Sequence, residues 1–340
     1  MKKSNLPPLI SVCIPVYDTE PFLAQCLRSV IRQDFDSFEV IVVSDASRGK
    51  DVAGHTAKKI VKLAQKECDK LRKVAGLASV PIRFLEHREN RGILEVRRTL
   101  VYEAEGEYIC FVDSDDELVL GALSALYREE PFDIVQGNSV SGSFDSEENF
   151  IPSEKNRYCS GEFGIVEGHE IFHKWVSSGI ITGMVWAKLI RRNLLELAFD
   201  NIPYTECNMG DDYLISFFVM LNAKRYCGTK TEVYHYRITN GMSSKRKIDS
   251  LRKWKLVCSA ASIFTIISQW LEEHGNNTEI LPEEMRAIRL RARNYLANNI
   301  TQMEESVIPE LKTEARAMLC EYWGTDFVEG MEKIITCRLS

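Results

Sequence analysis

One apolar run in this chain stops at a cluster of carboxylates. Residues 108–112 read Tyr-Ile-Cys-Phe-Val, and Asp113, Asp115 and Asp116 follow at once. Uncompensated charge at the end of a buried strand is costly, and carboxylates this close repel one another. We therefore expect a cation there, Mg²⁺ or Mn²⁺, because hard divalent ions prefer oxygen ligands. The pattern predicts an enzyme that handles a nucleotide phosphate at the carboxyl edge of a sheet.

The composition is that of an ordinary globular protein. The chain has 340 residues, 45% of them hydrophobic, and a net formal charge of −6. This length suits one large α/β domain with a helical appendage, and the lack of a basic footprint argues against nucleic-acid binding. The ten cysteines include no CxxC pair, and we find no secretory signal, so we expect free thiols and a cytoplasmic protein.

Strands and helices alternate along the first part of the chain. The predicted strands are residues 9–16, 38–43, 81–86, 107–112, 132–135 and 232–237. The predicted helices are residues 21–33, 51–75, 93–104, 167–178 and 211–221. This alternation predicts right-handed parallel crossovers in an α/β sheet.

Two stretches depart from that alternation. Residues 139–165 are polar and rich in Gly and Ser, which indicates a loop with short hairpin pieces. From about residue 250 onward one helical pattern follows another. We therefore predict a catalytic domain over residues 1–245 and a helical region over residues 246–340.

Short segments in a fixed order carry a family resemblance across residues 9–245. They are residues 14–18 (IPVYD), 42–47 (VVSDAS), 90–92 (NRG), 106–109 (GEYI), 185–190 (VWAKLI), 210–212 (GDD) and 234–237 (YHYR). Together with Asp113 and Asp115 they resemble glycosyltransferase family 2, which comprises inverting enzymes with the GT-A fold. The resemblance implies a Rossmann-like, mostly parallel central sheet flanked by helices, with a helical extension at the C-terminus. It also implies a bacterial enzyme of surface-polysaccharide biosynthesis.

The same resemblance implies a set of donor-site residues. They are Pro15, Val16 and Tyr17 around the base and ribose, Asp45 on an imide N–H such as that of uracil, and Asn90, Arg97 and Asp113 elsewhere on the nucleotide. Alternative interpretations stay open for two of them, since Asp45 also suits a helix N-cap and Arg97 also suits the surface.

The metal is expected at the carboxylates. Residues i and i+2 of a strand end project to the same side, so Asp113 and Asp115 can address one Mn²⁺ or Mg²⁺ ion. The resemblance adds His235, for which a packed strand histidine is the alternative. We expect Asp116 to cap the helix that follows near Leu120.

Two adjacent carboxylates supply the expected catalytic groups. By resemblance, Asp212 is the general base that takes the proton from the acceptor hydroxyl, and Asp211 orients that hydroxyl. Neighbouring carboxylates raise one another's pKa, which suits a base. The alternative is that both acids only stabilise the N-terminus of a helix.

Three positions depart from the family pattern. Ser44 stands where an acid is usual, Asp18 where Asn is usual, and Asp211 where Glu is usual. Ser44 and Asp211 motivate a first alternative function, a catalytically inactive module that binds a nucleotide sugar.

A second alternative is a zinc hydrolase. Residues 169–173 read His-Glu-Ile-Phe-His, and histidines at i and i+4 on a helix can share one zinc ion. Position 176 is valine, so no Gly-x-x-His continuation follows, and Glu196 is the nearby candidate for a third ligand.

The C-terminal region contains a charge-free helical stretch, residues 256–271, which is too short to span a bilayer. Basic residues lie on both sides of it, which suits peripheral docking on anionic lipid, a homodimer contact or an ordinary surface. Our prediction is a metal-dependent, inverting glycosyltransferase. It would move a sugar from a nucleoside diphosphate donor, UDP-linked, to a hydroxyl of a saccharide or lipid-linked acceptor.

Overall fold

The computed structural model describes residues 7–153, 162–238, 247–275 and 279–339. The chain divides into two compact units. The first comprises Met1–Asp200 and Ile215–Ile238, and the second comprises Asn201–Leu214 and Thr239–Ser340. The second unit therefore takes in a short segment that lies upstream of residue 245.

Ten strands form one mixed sheet within the described part of the first unit. They are β1 (Ile10–Val16), β2 (Phe38–Ser44), β3 (Ile82–Glu86), β4 (Tyr108–Phe111), β5 (Glu117–Leu118), β6 (Ile134–Phe144), β7 (Phe150–Pro152), β8 (Gly164–Glu167), β9 (Lys188–Arg191) and β10 (Arg225–Arg237). Their order is β3-β2-β1-β4-β9-β6-β10-β5, with β7 on β6 and β8 on β10. The pairs among β3, β2, β1 and β4 are parallel, which confirms the predicted crossovers.

The helices of this unit connect the strands. They are α1 (Glu20–Ile31), α2 (Ala57–Val74), α3 (Ile93–Glu103), α4 (Ala122–Leu126), α5 (Glu170–His173), α6 (Arg192–Asn201) and α7 (Asp211–Asn222), the last two of which extend into the second unit. Apolar residues at helical spacing on α1 and α2 join those of β1 and β2 in one hydrophobic core. This core fixes the strand ends at which the predicted site residues lie.

Several elements were not predicted. Strand β6 continues to Phe144 through residues expected to form a loop, because Ser139 and Ser141 are buried where β6 pairs with β10. Strand β9 was missed because it runs antiparallel between β4 and β6, a direction that no local pattern records. The two-residue strand β5 was missed for the same reason, since it runs antiparallel to β10. Part of the predicted loop, residues 154–161, lies outside the described residues.

The described part of the second unit is helical beyond residue 250, as expected. Its helices there are α8 (Leu251–Cys258), α9 (Ala261–His274), α10 (Pro282–Ser306), α11 (Lys312–Trp323) and α12 (Thr325–Leu339). The core centres on Trp254, whose indole N–H donates to the Ala315 carbonyl at 2.8 Å. Helix α10 begins at a proline, and the Glu284 carboxylate accepts the Leu281 N–H at 2.8 Å, as in a capping box.

One helical stretch, Leu251–His274, is long and apolar enough to cross a membrane by length and composition alone. Of its most apolar window, 56% is buried within the protein. The stretch is also interrupted, because α8 ends at Cys258 and α9 begins at Ala261. It is therefore weak support for a membrane span.

Gly106 permits the close approach of the loop before β4 to β1. A Cβ atom at this position would lie 2.5 Å from the Ser11 backbone nitrogen, while the Gly106 N–H donates to Ser11 Oγ at 2.9 Å. We expect Gly106→Ala to lower the free energy of unfolding by about 1–3 kcal/mol, the usual cost of overpacking. Denaturant unfolding measures this change. Gly330→Ala is the control, because a Cβ atom at this helical position meets nothing within 4 Å, and the variant should be as stable as the wild type or more stable. An unchanged free energy of unfolding in Gly106→Ala would contradict the argument.

Candidate functional site

The turn after β4 is held by a network that reaches across the sheet to β10. The Asp113 N–H donates to the Tyr234 hydroxyl oxygen at 3.0 Å, and that hydroxyl donates to Asp116 Oδ2 at 2.9 Å. The Arg237 N–H donates to Asp116 Oδ1 at 2.7 Å. The expectation that Asp116 caps the next helix is therefore wrong, because its buried carboxylate is used by β10 and α4 begins only at Ala122.

Arg97 belongs to this acidic turn. Its Nη2 donates to Asp113 Oδ1 at 3.1 Å, its side chain is 4% exposed, and its guanidinium lies 5.7 Å from the centre of the Phe111 ring. Arg97 therefore pairs with a carboxylate of the acidic turn, and the surface alternative is wrong. Pairing fixes the direction of the Asp113 side chain at the strand end.

The Asp115 carboxylate lacks an ion-pair partner among the described side chains. Burial, with Asp113 second, raises the pKa of the Asp115 carboxyl to about 6. Arg237 approaches this residue, but its Nε donates to the backbone oxygen of Asp115, at 2.7 Å. Among the described side chains none forms an ion pair with the Asp115 carboxylate, so the position favours an added cation.

The residues present fit a divalent ion that shares its coordination with other ligands. Asp113 and Asp115 offer the oxygen donors that Mg²⁺ and Mn²⁺ prefer. Within the described ranges no group of three or more His, Cys, Asp or Glu side chains could hold a metal ion alone. The remaining ligands would have to come from substrate oxygens or water.

His235 does not join the carboxylates. Its ring stacks on Phe150 with 3.8 Å between centroids, and its Nε2 lies 2.9 Å from Glu232 Oε1. Successive strand residues point to opposite faces, and Tyr234 already points toward Asp116. The structure thus corrects the placement of His235 beside the metal. Burial lowers the pKa of its imidazole, and the opposing effect of the Glu232 carboxylate is smaller.

The ends of β1 and β2 form the other side of the candidate site. Pro15 and Val16 are buried at the end of β1, while Tyr17 is 44% exposed. The loop after β1 and the loop after β2 are joined by a hydrogen bond from the Asp18 N–H to Ser47 Oγ at 2.9 Å. Asp18 has a φ of +54°, in the left-handed region that a non-glycine residue seldom adopts.

Asp45 fastens the turn that precedes α3. Its buried carboxylate accepts the Arg91 N–H at 2.9 Å and the Gly92 N–H at 2.8 Å, next to the exposed Asn90. His87 Nδ1 lies 2.7 Å from Asp45 Oδ1. Asp45 therefore holds the loop before α3 and is not a helix N-cap, since α3 has no side-chain cap. Sequence analysis missed His87, whose signal was its position directly after β3.

Asp211 and Asp212 form the first turn of α7. Asp211 is buried, and the preceding Gly210 has a φ of +80°. This backbone conformation is one that glycine adopts readily and other residues seldom do. Placement at a helix N-terminus agrees with both interpretations of the two acids.

The His-Glu-x-x-His segment does not form a regular helix. Helix α5 is only four residues long and continues as a π-helix over Lys174–Ser178. Glu170 pairs with Lys174 at 3.7 Å, and Glu196 pairs with Arg192 at 2.6 Å. The three-ligand set that a zinc hydrolase needs is not assembled among the described residues.

Trp186 and Lys188 support the site from β9 and the loop before it. The Trp186 ring stacks on that of Tyr234 with 4.8 Å between centroids. The buried Lys188 ammonium donates to the Thr182 carbonyl at 2.8 Å and also contacts the Met184 carbonyl. Sequence analysis noted this segment as part of the resemblance without assigning either role.

Tyr234→Phe tests the network that holds the acidic turn. The change leaves the buried Asp113 N–H and Asp116 carboxylate without their shared partner, so we expect a loss of about 1–3 kcal/mol in the free energy of unfolding. Tyr102→Phe is the matched control, because Tyr102 donates to Asp200 at the exposed surface. If the two variants lose the same free energy of unfolding in denaturant titrations, the buried network stabilises the fold no more than a surface hydrogen bond does.

The fold and the acidic strand end define a class, the GT-A glycosyltransferases. The solved mannosyltransferase PcManGT from Pyrobaculum calidifontis, in complex with GDP-Man and Mn²⁺, aligns over 96% of this chain and 87% of its own with a TM-score of 0.50. At 14% identity this likeness shows the fold alone. The sequence model of glycosyl transferase family 2 matches residues 11–196, and the chain belongs to that family.

Similar proteins come from bacterial glycan pathways. The putative glycosyltransferase EpsH of Bacillus subtilis is 28% identical over 68% of this chain and 61% of its own length. The poly(ribitol-phosphate) beta-N-acetylglucosaminyltransferase TarS of Staphylococcus aureus is 26% identical over 66% of this chain and 35% of its own. A Campylobacter jejuni GalNAc(5)-diNAcBac-PP-undecaprenol beta-1,3-glucosyltransferase is 30% identical over 39% of this chain and 38% of its own length. The chain therefore matches less than two thirds of each relative.

Proposed function

We propose that this protein is a metal-dependent, inverting glycosyltransferase that uses a nucleoside diphosphate sugar, UDP-linked, as donor. Its acceptor would be a hydroxyl of a saccharide or of a lipid-linked saccharide. The observation that carries the proposal is the Asp113–Asp115 pair at the carboxyl end of β4. Arg97 and Tyr234 hold Asp113, and the Asp115 carboxylate has no ion-pair partner among the described side chains. The names of the TarS and undecaprenol-linked relatives support a polymer or lipid-linked acceptor.

Pro15, Val16, Tyr17, Asn90 and Asp45 would hold the nucleotide. Asp45 already accepts up to three protein N–H groups, and an ionised carboxylate offers about four lone-pair directions. The remaining direction would accept the imide N–H of uracil. The choice of UDP rests on this chemistry and on the family resemblance.

Asp115, with Asp113, would hold the divalent ion, while Arg97 keeps Asp113 in place. When bound, that ion supplies positive charge that neutralises the departing diphosphate. Asp212 would accept the proton of the acceptor hydroxyl as its oxygen attacks the anomeric carbon from the face opposite the diphosphate. Asp211 would orient the same hydroxyl, and inversion follows from this single displacement.

Thermal unfolding with a panel of nucleoside diphosphates, with and without Mn²⁺, tests the donor site. Ligand at a hundred times its dissociation constant should stabilise the protein by about 2.7 kcal/mol. We expect the largest increase in melting temperature with UDP and Mn²⁺ together. No shift with any nucleotide would reject the donor site, whereas binding without sugar transfer or donor hydrolysis would identify an inactive binding module.

A further inference from the structure

Helix α2 presents a continuous row of lysines on its solvent face. Six lysines lie on this face: Lys58, Lys59, Lys62, Lys66, Lys70 and Lys73. At 100° per residue they fall within a 120° arc, opposite the face that buries Ile60, Val61, Ala64 and Cys68. At 1.5 Å per residue the row is about 22 Å long. We call these six residues the lysine row.

The charge of the lysine row is not neutralised by its surroundings. All six side chains are exposed, and none forms an ion pair with a carboxylate in the part of the chain that the structure describes. Asp69, the acidic residue inside the arc, is held by the Ser79 hydroxyl at 2.5 Å and by the Gln65 amide at 2.9 Å. A concentrated positive face thus stands on a chain whose net formal charge is −6.

Exposed apolar side chains border the lysine row on one side. Leu63 is 41% exposed, Leu71 is 38% exposed and Val74 is 84% exposed. Glu67, which is half-buried, lies on the same border. An amphipathic helix that lies on a bilayer combines these two features, because lysines meet the anionic headgroups while apolar side chains enter the interface.

We propose that the lysine row and its apolar border bind the surface of an anionic phospholipid membrane. The composition of the face favours lipid over nucleic acid, because planar, bidentate recognition of phosphate is the work of arginine. The helix has one arginine, Arg72, and it points inward, where its Nη1 donates to the Gln33 carbonyl at 2.9 Å. Lysines acting as separate point charges suit a fluid array of headgroups. This inference is independent of the proposed sugar transfer.

Co-sedimentation of the full chain with vesicles tests the proposal. We expect binding to mixed phosphatidylglycerol–phosphatidylcholine vesicles, none to pure phosphatidylcholine vesicles, and weakening with added salt. The triple variant Lys62→Gln, Lys66→Gln, Lys73→Gln should reduce partitioning roughly 100-fold, given about 1 kcal/mol per lysine near an anionic surface. Because these side chains are exposed and unpaired, its melting temperature should equal that of the wild type.

The matched control removes three positive charges from another helix. Arg286, Arg289 and Arg293 are exposed on α10, and their triple Gln variant should retain vesicle binding. Equal loss in both triple variants would overturn the assignment to α2, as would equal binding of the wild type to neutral and anionic vesicles.

A second variant separates lipid from soluble polyanions. Leu63→Gln with Val74→Gln should weaken vesicle binding and leave the binding of heparin unchanged, because only a bilayer uses the apolar border. If this variant binds vesicles as tightly as the wild type does, the face is a general polyanion site and the lipid assignment is wrong.

Discussion

Asp115→Asn is expected to remove the stabilisation by UDP with Mn²⁺ and to lower sugar transfer roughly 10²–10³-fold, the usual effect of losing one stabilising contact to developing charge. The amide cannot supply the anionic oxygen that the divalent ion prefers. Without ligand the variant should be at least as stable as the wild type near neutral pH. The reason is that the Asp115 carboxyl, whose pKa burial and the neighbouring Asp113 raise to about 6, no longer carries a desolvated negative charge.

Glu117→Gln is the matched control for that experiment. Glu117 lies two residues further on, and burial raises the pKa of its carboxyl as well. Because Glu117 is not one of the proposed metal ligands, the thermal shifts and the release of UDP from UDP-sugars should be unchanged in this variant. If Asp115→Asn keeps the Mn²⁺-dependent shift, or if Glu117→Gln loses it equally, the metal does not bind where we propose.

Asp212→Asn is expected to reduce kcat about 10²–10⁴-fold while the KM for the donor stays nearly constant, because general-base catalysis acts on the acceptor proton. The measurement is UDP release with a panel of saccharide acceptors, together with the UDP and Mn²⁺ thermal shift. That shift should survive the substitution, which distinguishes this variant from Asp115→Asn.

Asp211→Asn separates catalysis from helix stabilisation. If both acids only favour the N-terminus of α7, each Asn variant should lose about 0.3–1 kcal/mol of stability and little activity. If the proposal is right, Asp212→Asn loses far more activity than Asp211→Asn, whose effect falls on the KM for the acceptor. Equal, small losses of activity in both variants would contradict the assignment of the base.

The predictions that succeeded rested on local patterns. Alternating strands and helices predicted the parallel order of β3, β2, β1 and β4, because a helical crossover returns the chain to the same edge of the sheet. The charge-free stretch of residues 256–271 predicted one helix, and the structure is helical there but divided, because α8 ends at Cys258 and α9 begins at Ala261. A break of this kind depends on how the second unit packs.

The predictions that failed concerned partners distant in sequence. Asp116 was expected to serve the helix next to it, but its partner Tyr234 is 118 positions away. Asp45 holds the Gly92 N–H, 47 positions away, and His235 faces Phe150 instead of the carboxylates. Strand order and side-chain alternation bring such residues together or keep them apart, and neither can be obtained from spacing alone.

By itself the sequence determined the α/β class, the acidic end of β4 and the family, because these depend on residue types in a fixed local order. The tertiary structure alone decided which carboxylates are already used. It binds Asp116 to β10, pairs Asp113 with Arg97 and leaves the half-buried Asp115 without a paired cation. The physical reason is that the need of a charge for a ligand depends on its burial and on its neighbours in space, which the fold sets.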